Sequence, residues 1–119
     1  MIGGEAEEDG AEAARNLLAD GLPTAVITYN DRCAVGLLDV FARHGVAVPG
    51  EVSVVGYDDS QVARLPYLQL TTVSQDIPTM AEVAVERLIA RIARTVTGRR
   101  ESVLGPHLVV RGTTGRPPS

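Results

Sequence analysis

Four oxygen-bearing side chains stand at the ends of two short apolar runs. Asn30 and Asp31 close the run in TAVITYNDRCAVG, residues 24–36, and Asp58 and Asp59 close the run in VSVVGYDD, residues 52–59. Carboxylate and carboxamide oxygens accept hydrogen bonds from hydroxyl-bearing ligands, most strongly where the acceptor is charged. If the two runs are neighbouring parallel strands, one rim receives all four side chains. Ligands of open α/β sheets bind at the carboxyl ends of strands, where loops and helix N-termini gather. The two pairs therefore read as half of a small-molecule site. Each also has a purely structural reading: Asn30 or Asp31 caps the helix that follows, and Asp58 and Asp59 shape a turn through bonds to their own backbone.

Catalysis is a poor reading of the same residues. A general acid and base need separated pKa values, and nothing nearby supplies an activated nucleophile, an adjacent histidine or a metal-ligand cluster. His44 falls at a helix end and His107 at a strand start, and Cys33 in a first helical turn reads as a packing residue. The run GGEAEEDG, residues 3–10, matches neither a P-loop nor a dinucleotide fingerprint. Neither an enzyme nor a cofactor is expected.

The elements that must position the rim follow from hydrophobic period. Ala11, Ala14, Leu17 and Leu18 recur at helical spacing over residues 5–20, with acid at the start and Gly21 past the end, as a helix prefers. Pro23 precedes the β-branched strand TAVITY. Ala34, Leu37, Leu38 and Phe41 then mark one face of a helix over residues 32–44, and Gly45 stops it. VSVVGY is the second strand, so residues 24–57 form a strand, helix, strand unit whose strands should be parallel. Residues 60–69 read as a loop with a short turn, and LTTV, residues 70–73, as a short strand. Asp76 before Ile77 and Pro78 signals the start of a long helix. Its wide apolar stripe includes Met80, Ala84, Leu88 and Ile92, and it should run over 78–96 to a stop at Gly98. A last strand fits residues 107–111, and GTTGRPPS, residues 112–119, reads as a disordered tail.

Composition narrows the class. The chain has 119 residues, 45% hydrophobic and 22% charged, a globular balance that opposes disorder and membrane spanning. Its net charge is −4 and its 11 basic residues are all arginine, with Arg99 and Arg100 the one adjacent pair, which opposes a phosphate-binding face. A single cysteine excludes an internal disulfide, and MIGGEAEEDG lacks the cationic and apolar regions of an export signal, so a cytoplasmic location is expected.

The segment PTAVITYNDRCAVGLLDVFARHGVAVPGEVSVVGYDDS, followed by LTTVSQD and HLVVRGTT, resembles the ligand-binding core of LacI-type bacterial transcription regulators. IGGEAEEDGAEAARNLLADG resembles the family's preceding segment, so the likeness covers almost the whole chain. It implies a periplasmic-binding-protein-like type I fold of three α/β/α layers, of which residues 1–111 would form a truncated effector-binding domain. Most of that part would be the C-terminal, parallel-sheet subdomain, and the helix over 78–96 would belong to the N-terminal one. Family counterparts make Asn30, Asp58 and Gln75 effector-binding residues. Glu5 joins them at a position where many sugar-binding relatives carry an aromatic ring, which shifts the expectation toward a more polar or cationic effector. The resemblance implies a sugar, nucleoside or polyol effector, and operator DNA bound through a helix-turn-helix headpiece without counterpart in these residues. A homodimer is expected too, because part of the apolar stripe lacks its natural partner. A sugar-binding receptor of a transport system shares the fold and is the alternative.

Overall fold

The computed structural model describes residues 4–94 and 104–119. Helix α1, Glu7–Asp20, opens with Glu7, Glu8 and Asp9, which complement the helix dipole. The Asp9 carboxylate accepts the Ala6 amide at 3.0 Å. Gly21 ends the helix at φ 112°, donating its N–H to the Leu17 carbonyl at 2.9 Å. Strand β1, Ala25–Ile27, helix α2, Asp31–Arg43, and strand β2, Ser53–Val55, follow, and β1 and β2 pair in parallel with Val26 opposite Val54. The expected strand, helix, strand unit is therefore present, with shorter strands.

A single 3-10 turn, Gln61–Arg64, leads to β3, Thr72–Ser74, which meets β2 through one parallel bridge between Val55 and Thr71. Helix α3, Ile77–Ile92, leaves the end of β3, and β4, His107–Val109, returns antiparallel to it. The described strands thus form two two-stranded sheets, parallel β1 with β2 and antiparallel β3 with β4, linked at the bridge between Val55 and Thr71. Pro78 lies in the first turn of α3 as expected, but Asp76 takes a left-handed φ of 53° and its side chain makes no capping bond. The helix ends at Ile92, short of the expected 96, and Arg94 beyond it has φ 55°. Gly98, the expected stop, lies outside the described residues.

The core is built from Val26, Val52 and Val54 of the sheet region, Ala34, Leu37, Val40 and Phe41 of α2, Ala14 of α1, and Ala63 and Leu70. Full burial of Leu37 and Phe41 stabilises by about 2 to 3 kcal/mol each. Helices α1 and α2 approach at a pair of glycines: a Cβ at Gly10 would fall on the Cys33 carbonyl oxygen, and one at Gly36 on the Glu7 carbonyl oxygen. Only residues without side chains permit that approach. The described residues cover one face of β1, burying Val26 and Thr28, and leave Ile27 of the other face 68% exposed.

Residues 112–115, expected to open a disordered tail, are instead laid along β2. The Val54 amide donates to the Thr113 carbonyl at 2.8 Å, and the Thr113 hydroxyl donates to the Val54 carbonyl at 2.7 Å and accepts the Thr71 amide at 2.9 Å. Gly115 exchanges bonds with Ser53. Short hydroxyl side chains and glycines replace ladder groups here, a use that their polar composition hides.

Helix α3 behaves differently from the other two. None of its residues is buried, and Val85, Leu88, Ile89 and Ile92 are all more than half exposed. The Cα radius of gyration is 18.2 Å, against about 13.5 Å for a compact domain of this length. The expected wide apolar stripe is present and uncovered among the described residues.

Candidate functional site

Backbone bonds bring the three strand ends together. The Asp31 amide donates to the Tyr57 carbonyl at 2.9 Å and the Asp58 amide to the Val73 carbonyl at 2.9 Å, so the segments after β1, β2 and β3 lie side by side. Glu5 is joined to them through its carbonyl, which accepts the Asn30 Nδ2 at 2.9 Å. Gln75 follows β3 directly and is half-buried. All four expected binding residues thus occupy one rim.

Their side chains are committed very differently. Asn30 is the N-cap of α2: its Oδ1 accepts the Cys33 amide at 2.8 Å while its Nδ2 reaches Glu5. Asp31, the other capping candidate, is only 1% exposed and faces inward. Its Oδ2 accepts the Ser60 amide at 2.7 Å and the Ser60 hydroxyl at 2.8 Å, and its Oδ1 accepts the Thr72 hydroxyl at 2.6 Å. Gly56 makes room for this carboxylate, since a Cβ there would strike Asp31 Oδ1. Asp31 is thus a buried strut.

At the second strand end, Asp59 is held by two arginines. Arg111 Nη2 donates to its Oδ1 at 2.7 Å and Arg64 Nη2 to its Oδ2 at 3.0 Å. Burial would push the Asp59 carboxyl up, but the bonds from Arg111 and Arg64 and their charges outweigh it and hold it below the ordinary aspartate value. Asp58 has φ 118° and an exposed side chain, and among the described residues its carboxylate has no hydrogen-bond or ion-pair partner. Partial burial, then the like charge of Asp31, pushes the Asp58 carboxyl up. Of the four polar side chains at the two strand ends, this is the one without a hydrogen-bond or ion-pair partner among the described residues.

Arg64, Arg111, Ser60 and Thr72 support the rim and carry no signal in local spacing. Cys33 is buried, and burial raises its thiol pKa, which suits a packing residue. Among the described residues no group of three or more His, Cys, Asp or Glu is placed to hold a metal ion, and no helix is long and apolar enough to cross a membrane. A concavity along α3, lined by Met80, Ala84, Leu88 and Leu104 among others, is mainly apolar and separate from the rim.

The family model for periplasmic binding protein-like domains matches residues 1–114. The chain belongs to that family. It is 41% identical over 116 residues to the HTH-type transcriptional regulator GalR of Salmonella typhimurium, an alignment covering 96% of this chain and 34% of GalR. A LacI transcriptional regulator from a Rhodococcus species shares its structure with a TM-score of 0.83 and 51% identity, over 95% of this chain and 42% of that one. A LacI family regulator from Lactobacillus casei with bound sucrose does so with a TM-score of 0.79 and 30% identity, over 92% of this chain and 41% of that one. These relatives place the chain in the LacI-type branch, as effector-binding-domain sequence, and are regulators rather than enzymes. The chain spans about a third of the length of the curated relatives it matches.

Proposed function

We propose that this chain supplies one wall of the effector cleft of a LacI-type transcription regulator, and that Asp58 is the wall's principal ligand-binding group. The observation that carries the reading is the unpartnered Asp58 carboxylate, set on a left-handed backbone at the carboxyl end of β2, while the oxygens of the adjacent Asn30, Asp31 and Asp59 side chains are engaged within the protein. Its oxygens accept hydroxyls of a sugar or polyol, bonds that replace water and relieve the isolation of the charge. Asn30 contributes its remaining N–H, and Gln75 supplies a donor and an acceptor. Glu5 presents an exposed acceptor rather than a ring, which favours a hydroxyl-rich or cationic effector over one held by stacking.

In the whole regulator the ligand would close this wall against the N-terminal subdomain, to which α3 would belong, and so alter how a dimer presents its headpieces to operator DNA. Such control requires that the effector bind the two states with different affinity. Exposed Tyr67 and the open face of α3 are apolar surface of the kind that association covers. A protein that acts on DNA in this way works in the cytoplasm.

The test uses the full-length regulator. D-galactose, maltose, L-arabinose and sucrose are screened by thermal shift, where saturating ligand raises the midpoint by mass action. At least one should stabilise the parent and fail to stabilise Asp58→Ala. An Asp58→Ala variant that responds at the same sugar concentration would sink the assignment.

A further inference from the structure

The turn that presents Asp58 is imposed on the backbone by its surroundings. Asp58 and Asp59 are consecutive non-glycine residues at positive φ, 118° and 51°, a combination the chain avoids unless neighbours over-determine it. The neighbours are identifiable. Arg111, just past β4, spans two points with its fork: Nη2 donates to Asp59 Oδ1 at 2.7 Å and Nη1 to the Leu70 carbonyl at 3.0 Å, ahead of β3. Its own amide donates to the Thr71 hydroxyl at 2.9 Å. The Asp59 amide donates to the Thr72 hydroxyl at 3.3 Å, and Arg64 closes the second carboxylate oxygen.

The arginine pairs are not equivalent. The side chains of Arg111 and Asp59 are 15% and 9% exposed, whereas that of Arg64 is 61% exposed. Shielded, two-point arginine contacts fix geometry, while exposed ones contribute little. Arg111 is also the residue at which β4 rejoins the body that carries the rim. Beyond it, β3 and β4 form the antiparallel ribbon that leads to α3.

We infer that Arg111 is a positioning residue for the effector site: through Asp59 it sets the turn that aims Asp58, and it thereby ties effector affinity to the β3–β4 ribbon. This rests on the reading of Asp58 as the ligand acceptor. A purely structural ion pair would instead stabilise the whole domain evenly.

The two roles separate in ligand-free hydrogen exchange of the full-length regulator. In Arg111→Gln and in Asp59→Asn, exchange of the Asp58 amide should accelerate about tenfold while the Ala34 amide, which donates to the Asn30 carbonyl at the start of α2, keeps its parental rate. The double variant should exchange no faster than the faster single, since both substitutions remove one clamp. Arg111→Lys, which retains the charge, should recover part of the protection. Unchanged exchange at Asp58, or equal acceleration at Ala34, overturns the inference. In parallel, the sugar that stabilises the parent is titrated into each variant, and Arg111→Gln should bind it about tenfold more weakly. If Arg111→Gln binds as the parent does while Asp58→Ala does not bind, the site stands and the positioning role falls. If Asp58→Ala binds as the parent does, the site reading falls, and the exchange rates still decide whether Arg111 holds the turn.

Discussion

The two strand ends look alike as sequence, each an apolar run closed by two adjacent acceptor side chains, yet they do different work. After β1, Asn30 caps α2 and Asp31 is buried among Ser60 and Thr72 hydrogen bonds, so both side chains serve the fold. After β2, Asp59 is clamped by arginine and Asp58 is left open to solvent. The difference teaches that a functional group is recognised by what its neighbours no longer need. A carboxylate with three internal donors has nothing to offer a ligand.

Asp31→Ala should do the most damage. It strands the Ser60 amide and the Ser60 and Thr72 hydroxyls, and chemical denaturation should show a loss of about 3 kcal/mol or more. Asn30→Ala removes the cap and should cost about 1 kcal/mol in the same assay, whereas Asn30→Asp keeps the acceptor for Cys33 and should cost less. Equal losses for Asn30→Ala and Asn30→Asp would mean that the bond to Glu5 matters more than the cap.

Smaller effects distinguish the two residues of the second strand end. Asp59 has a lowered folded pKa, so its contribution is present above the unfolded value near 3.8 and is lost as pH falls through the folded value. The parent should therefore lose more stability than Asp59→Asn between about pH 4 and pH 2. Asp58 runs the other way. Its raised folded pKa means that ionisation opposes folding at neutral pH, so Asp58→Asn should stabilise the protein slightly, by no more than a few tenths of a kcal/mol given its exposure. Effector response should nevertheless be lost. A variant that lost both response and stability would class Asp58 with the scaffold and erase the contrast.

The element order, the parallel pairing of β1 with β2 and the rim itself were legible in residues 24–59, because period and punctuation are local. The division of labour at the rim was not. Asp31 finds Thr72 41 positions away and Asp59 finds Arg111 52 positions away, and no spacing rule links such pairs. GTTG was misread for a related reason: its polar composition looks like solvent-facing chain, while Thr113 is 5% exposed and bridges Val54 and Thr71. The stripe on α3 was legible as a stripe, but period alone does not say what covers it. The glycine crossing of α1 and α2 was missed because it depends on two positions 26 apart meeting in space.

The narrow ribbon of β3 and β4 has a mechanical consequence. It is only three residue pairs long, and a helix of 16 residues is mounted at its end. Such a helix is about 24 Å long, so a twist of about 10° in the ribbon sweeps its tip by about 4 Å. Arg111 stands at the fulcrum of that arm. A tip displacement of about 4 Å is as large as a carbon–carbon contact distance, enough to exchange one set of packed neighbours for another.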